Sequence, residues 1–308
     1  MEGIVIRSTG SRHMVRTAGG ENFECILKGI FRIRGLKATN PITVGDSVDF
    51  ELPRDKNTGI ILNIKARRNY IIRKSTKLSK SVHILAANID RAFVVATLAF
   101  PRTSTGFIDR FLVTAEAYKI PVTILFNKTD LYDKTLEKKH KELCALYEEI
   151  GYPCIGISAL KGTNMERVRV AMKDKVSLMA GHSGVGKSAI INFLDPGLEL
   201  KTGEISFYHR KGKHTTTFAE MHPLSFGGYI IDTPGIKEFG LVDFYREELT
   251  HYFPEMFCLL KDCQFHNCTH IHEPNCAVLK AVDEGRISPS RYTNYLNIFY
   301  DRELEEED

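Results

Sequence analysis

The chain has no stretch that could cross a bilayer. No segment approaches the roughly 18 consecutive apolar residues that a spanning helix needs. Its first residues, Met1-Glu-Gly-Ile-Val-Ile-Arg7, carry neither a basic leader nor a long apolar run, so no secretory signal is expected. It lacks an even complement of cysteines. There are seven, four of them between Cys258 and Cys276, which argues against a disulfide framework and for a metal cluster in a reduced, cytoplasmic protein. It lacks internal repeats, which removes solenoids and propellers. A dominant charge is also missing: the formal net charge of +4 permits nucleic acid as a partner without requiring it. Aromatics are sparse in the first seventy residues (Phe23, Phe31, Phe50, Tyr70), so recognition there by shape or phosphate is expected over base stacking.

What is present begins with short β-prone runs. Gly3–Ile6, His13–Arg16, Glu21–Leu27, Val48–Leu52 and Gly59–Ile64 are separated by turn-forming clusters, predicting a small all-β barrel over 1–72, of the OB or SH3 type. Seven Lys or Arg residues and no acid lie between Lys65 and Lys80, readable as a solvated linker or as a phosphate-backbone footprint. Beyond residue 80 the pattern alternates. Apolar strands at 92–96, 122–126, 154–157, 176–180 and 229–231 are spaced by helices at 107–118 and 134–150, predicting a mostly parallel sheet covered on both faces. The tail adds a Cys/His cluster, a helix at 274–284 and a final helix opened by Ser288-Pro289, with Tyr292, Tyr295, Leu296 and Phe299 on one face.

The chemistry concentrates in the α/β region. Gly181-His182-Ser183-Gly184-Val185-Gly186-Lys187-Ser188 has the form G-x-x-x-x-G-K-S between an apolar strand and a helix beginning near Ala189, the context of a phosphate-binding loop. Backbone N–H groups and the helix N-terminus suit phosphate, Lys187 reaches the outer phosphates, and Ser188 is placed to ligate Mg²⁺. Asn127-Lys128-Thr129-Asp130, directly after a strand, predicts a guanine reader: the Asp130 carboxylate accepts from the ring N–H and exocyclic amine, which adenine cannot supply together. Ser158-Ala159-Leu160 stands where a loop closes over the base. Asp232-Thr-Pro-Gly235 ends another strand, where the Asp holds Mg²⁺ through water and the Gly235 amide meets the γ-phosphate. His214-Thr-Thr-Thr217 lies in a polar stretch suited to a switch, with Thr216 or Thr217 as an Mg²⁺ ligand; Thr216 is the expected one.

The order is abnormal: the guanine reader and the Ser-Ala loop precede the phosphate loop. Strand–loop units surround one nucleotide, so a cyclic shift of the chain preserves the site. The sequence therefore predicts a circularly permuted GTPase. The glycine loop, Gly212–Thr217, Asp232–Gly240, the barrel and the tail cluster together resemble the ribosome small-subunit-dependent GTPase A family over essentially the whole chain. The resemblance implies an OB-fold barrel over 1–72, a permuted GTPase domain over 73–240 and a zinc-binding helical domain over 241–308. It also implies GTP hydrolysis coupled to late maturation of the small (30S) ribosomal subunit, with binding to its rRNA and stimulation by it. GTP and GDP are the expected nucleotides, and a cytoplasmic monomer is expected.

Two further absences bear on mechanism. Ile236 stands where Ras-like enzymes have the water-orienting Gln. The resemblance suggests His214 in that role, with a solvent-exposed loop residue or an RNA contact as its bland alternatives. Gly184 stands where some GTPases carry a potassium-binding Asn, so potassium dependence is not readable. In the tail, Cys263-x₄-Cys268-x-His270-x₅-Cys276 offers three thiolates and one imidazole, a donor set suited to one structural Zn²⁺. Cys258, His266 and His272 lie close in sequence but outside that spacing. The alternative reading of the chain is a non-catalytic, GTP-switched RNA-binding or signalling protein.

Overall fold

In the computed structural model, described over residues 1–27, 41–53, 58–74, 82–198, 219–232 and 246–301, the β-prone runs at the start become five strands. These are β1 (Glu2–Thr9), β2 (Arg12–Arg16), β3 (Asn22–Leu27), β4 (Ser47–Glu51) and β5 (Gly59–Ile64). They pair in the order β1-β2-β3-β5-β4, and β4 returns to β1, so the sheet closes on itself as an OB-type barrel. Only the β3–β5 contact is parallel. Val5, Val15, Cys25, Val48, Phe50 and Ile61 alternate inward from these strands and fill the barrel with apolar side chains.

The first half of the basic stretch after the barrel is tied to acids of the protein. Residues around the 72/73 boundary form a hairpin, β6 (Tyr70–Lys74) and β7 (Val82–Ala87). Arg67 turns inward, and its guanidinium grips the fully buried Asp46 carboxylate at 2.6 and 2.7 Å. Arg68 pairs with Asp90 at 2.7 Å, whose other oxygen accepts from the Val176 N–H at 2.8 Å. Lys65 pairs with Glu2 at 2.7 Å. Of these three cations Arg67 is buried, while Lys65 and Arg68 keep much of their side chains exposed. The side chains from Arg73 to Lys80 lie outside the described residues.

Barrel and hairpin meet without a spacer. Thr43 Oγ1 donates to the Ile84 and Leu85 carbonyls, and the Ala87 N–H donates to Val44 O at 2.9 Å. Gly45 makes this approach possible. Its φ is +88°, and a Cβ there would stand 2.0 Å from Ala87 O, so any other residue would push the layers apart.

The Val/Ile-rich runs form β8 (Arg91–Ala96), β9 (Val122–Phe126), β10 (Cys154–Gly156) and β11 (Val176–Ala180). After these come β12 (Glu220–Pro223) and β13 (Tyr229–Asp232). Their order is β10-β9-β8-β11-β13-β12, parallel except for β12, which runs antiparallel to β13. β12 then meets β1 through Arg7 and Glu220, so barrel and domain share one continuous 11-stranded sheet. Helices cover both faces: α1 (Thr105–Ala117) and α2 (Lys134–Ile150) on one, α3 (Met165–Met172) and α4 (Lys187–Leu194) on the other. The caps are local chemistry. Ser104 and Asp133 accept from the Phe107 and Leu136 N–H groups, and Gly151 ends α2 in a left-handed conformation. The strand preceding the glycine loop, β11, sits at mid-sheet although it comes late in the chain, as a permuted GTPase requires.

The tail packs a third core on the outer side of α1. Its helices are α5 (Pro254–Phe257), α6 (Ala277–Asp283), shorter than the predicted 274–284, and α7 (Pro289–Phe299). The face of α7 differs from expectation. Arg291, Asn294, Tyr295 and Ile298 are its buried residues, while Tyr292, Leu296 and Phe299 are only partly covered. Two polar side chains inside an apolar-looking helix mark the contact with α1.

Candidate functional site

The glycine loop leaves β11 at the C-terminal edge of the sheet and enters α4. Gly181, Gly184 and Gly186 have φ of +147°, +82° and +99°, a conformation L side chains rarely adopt. Space is equally tight: a Cβ at Gly181 would lie 2.5 Å from Val95 O, and one at Gly186 would lie 2.3 Å from Asn127 Nδ2. Val185 is buried beneath the loop and Ser188 is buried in the first turn of α4. Lys187 Nζ donates to the Gly181 and His182 carbonyls, each at 2.7 Å, so the cation lies back across the loop. The His182 ring packs on Phe107 of α1, with centroids 3.9 Å apart.

The guanine-reader motif extends from β9, separated from β11 by β8 at the same edge, and Asn127 ties it to the glycine loop. Its buried side chain donates to Val185 O at 2.8 Å and accepts from the Ala159 N–H at 3.1 Å. One amide thereby sets the separation of three loops. Lys128 adopts φ +65° and donates to the Phe100 carbonyl, while Ser158 Oγ donates to the Asp130 carboxylate at 2.5 Å. The Lys161 N–H donates to the same hydroxyl at 3.0 Å, closing the Ser158–Lys161 turn. The sequence motifs single out Asn127, Lys128, Asp130, Ser158, Ala159 and 181–189, and the structure places them around one edge.

Asp232 ends β13, paired alongside β11, so its backbone sits beside the start of the glycine loop. His214, Thr216, Thr217 and Gly235 lie outside the described residues, as does Ile236.

The metal ligand set converges. The donor atoms of Cys263, Cys268, His270 and Cys276 all lie within 4.8 Å of one another. Cys263 Sγ is 4.0 Å from Cys276 Sγ, and His270 Nδ1 is 3.7 and 3.2 Å from those sulfurs. Tetrahedral Zn²⁺ with Zn–S bonds of about 2.3 Å places ligand atoms at about these separations. Zn²⁺ therefore fits, with four protein donors and no open position. Cys258, His266 and His272 are not in the group. Burial pushes the Cys268 thiol up to about 12, so bringing it to the thiolate needs a cation's charge.

Glu273 is the residue sequence reasoning missed. Its carboxylate accepts from Thr269 N and Oγ1 at 2.7 and 2.5 Å, and from the Ile271 and His272 N–H groups at 3.0 and 3.2 Å. Burial works against its charge, yet these donors win and hold the carboxyl down at about 2. It braces the turn carrying Cys268 and His270. A glutamate three residues before the last cysteine was the available signal.

A second unpredicted constellation joins the metal module to the α/β domain. Arg291 and Asp109 are both almost fully buried and meet at 2.6 Å. Arg291 also grips Glu255 at 2.7 and 3.2 Å, and its guanidinium carbon lies 4.6 Å from the Phe253 ring centre. Asn294 and Tyr147 donate to Asp109 at 2.6 and 2.9 Å. Burial would lower Arg291, but the two carboxylates outweigh it and hold it firmly charged. Burial also raises the Tyr147 phenol well above its ordinary value, keeping it a donor.

A family profile described as RsgA GTPase matches residues 64–242, and one described as RsgA N-terminal domain matches 2–61. The chain belongs to the RsgA GTPase family. It is 54% identical over 303 residues to a protein of Bacteroides fragilis named small ribosomal subunit biogenesis GTPase RsgA, spanning 98% of this chain and 97% of that one. A protein of the same name from Christiangramia forsetii is 54% identical over 300 residues, covering 97% and 95%. Among solved structures, YjeQ from Thermotoga maritima superposes with a TM-score of 0.80 at 37% identity, covering 97% of each chain. YloQ, described as a circularly permuted GTPase, gives 0.76 at 29% identity and covers 97% and 94%. RsgA family membership makes this chain a GTPase of permuted fold, with a barrel before the nucleotide domain and a zinc-compatible cluster after it.

Proposed function

We propose that this protein hydrolyses GTP as a step in late maturation of the small ribosomal subunit, binding its rRNA and being accelerated by it. The observation carrying the reading is the Asn127 clamp. It joins a phosphate loop, a guanine reader and a Ser-Ala loop at one sheet edge in permuted chain order. Relatives of more than half identity are named for biogenesis of that subunit. The barrel and the metal module, at opposite ends of the chain, would grip rRNA while the GTPase times release. The protein acts as a cytoplasmic monomer in this reading. Among the described residues, no helix is long and apolar enough to cross a membrane.

The individual roles proposed are those the motifs suggest. Asp130 reads guanine, with Asn127 and Lys128 bracing its loop and Ser158-Ala159 closing over the base. Residues 181–189 cradle the phosphates, and Lys187 carries charge to the outer ones. Ser188 and Thr216 would hold Mg²⁺, which neutralises phosphate charge when bound, with Asp232 reaching it through water and Gly235 at the γ-phosphate. Zn²⁺ on Cys263, Cys268, His270 and Cys276 is structural. The domain limits proposed are 1–72, 73–240 and 241–308.

Hydrolysis rests on His214. Ile236 cannot polarise water, and a neutral imidazole beside Thr216 and Thr217 can accept a hydrogen bond from the attacking water. The reading is tested by turnover of GTP and ATP, each with small subunits, large subunits or neither. Small subunits should accelerate GTP alone. His214→Ala should then lose most subunit-stimulated single-turnover hydrolysis while GTP affinity barely moves. Full stimulated turnover in that variant rejects His214 as the positioning group. The absence of any turnover in the unmodified protein favours a non-catalytic switch, which Ile236 in place of Gln also supports.

A further inference from the structure

Three residues outside every site above carry chemistry of their own. His140 and Cys144 lie one turn apart on α2, with Nε2 3.3 Å from Sγ. Cys154 on β10 lies two residues before Gly156, on the strand face that the His140 ring covers, so it shares the core on which Cys144 packs; its thiol donates to the Tyr152 carbonyl at 3.6 Å. Cys144 is partly exposed and Cys154 buried, the division expected of an attacking thiol and a resolving one. Groups facing Cys144 are Cys154 from β10, His140 and Glu148 from α2, and Tyr132 from the loop before α2. The neighbouring Cys154 thiol, then contact with His140, outweigh burial and bring the Cys144 thiol down to about 6, while Cys154 is raised. Tyr132 Oη is buried with no hydrogen-bond partner beside this group, an unused donor that an oxygen on Cys144 would satisfy.

The location gives the cluster a consequence. The His140 ring packs edge-on against Phe126, centroids 5.2 Å apart, and Phe126 is the residue before Asn127. It also lies against Gly156, where an added Cβ would stand 2.7 Å from His140 Cε1. Gly156 and Phe126 lead into the two loops proposed to hold the base. The thiol pair thus sits directly behind them.

We propose that His140, Cys144 and Cys154 form a peroxide-reactive dithiol site whose oxidation loosens the base-reading loops. The Cys144 thiolate attacks one oxygen of a hydroperoxide; the O–O bond breaks, and the leaving hydroxide takes up a proton. The resulting sulfenic acid is attacked by the Cys154 thiol, the S–O bond breaks, and water leaves as the disulfide forms. For hydrogen peroxide, two thiols give two electrons and yield one disulfide and two waters. Drawing Cys144 towards β10 pulls it away from His140, whose ring then loses its partner beneath Phe126.

The test uses the full-length, zinc-loaded protein, with Cys258, an exposed thiol, as internal reference. Iodoacetamide labelling read by peptide mass spectrometry should give Cys144 a pH midpoint of about 6. His140→Ala should move the Cys144 midpoint upward. Hydrogen peroxide, dosed below the level that releases zinc, should produce a Cys144–Cys154 disulfide before Cys258 is oxidised, and none in Cys154→Ser. A Cys144 profile that coincides with Cys258, or peroxide products without that disulfide, overturns the site. The effect on the loops rests on the proposed nucleotide reading, so it is measured separately. Oxidised protein should bind GTP at least about fivefold more weakly, dithiothreitol should restore it, and Cys144→Ser should be indifferent to peroxide. Disulfide with unchanged GTP affinity overturns the coupling. An unmodified, reduced protein that fails to prefer GTP over ATP refutes the nucleotide reading instead.

Discussion

A single buried amide decides how far apart the loops of the nucleotide edge stand. Asn127 donates to Val185 O and accepts from Ala159 N–H, and neither partner has water to turn to. Asn127→Ala leaves both unpaired, a cost on the order of 1–3 kcal/mol each for a buried polar group. The expected outcome is a protein less stable in urea and weaker for GTP and GDP alike, because spacing rather than base chemistry is lost. Equal urea midpoints for variant and parent would show the clamp to be incidental. Asp130 makes the opposite kind of contribution. Asp130→Asn should retain the phosphate contacts but weaken GTP by about 2–5 kcal/mol, the range for a charged hydrogen-bond pair mispaired beneath a bound base, and should admit xanthosine nucleotides, which present an acceptor where guanine donates. A competition titration checks this, and unchanged guanine preference would remove Asp130 from its role. These two residues also mark what can be read from sequence. Asp130 is proposed from the sequence because base chemistry demands a carboxylate after Asn-Lys-x. The amide of Asn127 reaching Val185, 58 residues along, was legible only as a loop brace, because spacing says nothing about which distant backbone it will meet. Glu273 and Arg291 gave less warning. Charged residues in a helical or turn-rich tail ordinarily face solvent, and only the fold shows that these do not.

Elements with a strong period were legible and those without one were not. Both β8 and β9 are continuous apolar runs flanked by turn residues, and α2 carries its own cap and stop. The hairpin β6–β7 was hidden because its first strand lies in a basic run that reads as linker, and its pairing is held by the barrel's Val44 and Thr43 rather than by its own pattern. For α7 the aromatic stripe pointed to the wrong centre of the buried face, since the polar Arg291 and Asn294 are sequestered by charge partners on α1 and α5. The turn carrying Cys268 and His270 depends on another such partner. Glu273 holds four donors of that turn, so Glu273→Gln replaces one acceptor with a donor aimed at N–H groups. By analogy with other groups that orient metal ligands, zinc affinity should fall about 10–100-fold. Competition with a chromogenic chelator measures it, and unchanged affinity would leave Glu273 a bystander. Complete removal of zinc should free about one ion per chain and unfold the segment around α6, leaving GTP binding in place, since no ligand touches the nucleotide edge.

At the scale of the whole molecule, the chain is joined twice to its central domain by different means. The barrel joins through backbone, by continuing the sheet through β1 and β12 and by the Gly45 contact with Ala87. The metal module joins through side chains. Arg291 and Asp109 are the centre of that joint, with Glu255, Asn294 and Tyr147 completing a network that spans α1, α2, α5 and α7. Taking such charges out of water costs several kcal/mol per ion, which their mutual attraction returns only when every donor and acceptor is matched. The network is therefore unforgiving of partial removal. Asp109→Ala should leave Arg291 buried with one carboxylate and destabilise the attachment by about 3–5 kcal/mol, whereas Asp109→Leu combined with Arg291→Met should recover much of that loss by apolar packing. Urea unfolding followed by zinc release and by limited proteolysis between the α/β domain and α5 reads the attachment directly, without assuming that all three parts unfold together. In a double-mutant cycle the pair should show a coupling energy above about 1 kcal/mol. If Asp109→Ala unfolds with the parent protein, or the cycle closes to within about 0.5 kcal/mol, the joint is held by the apolar contacts around Phe253 and Tyr295 instead, and the two charges are passengers inside it.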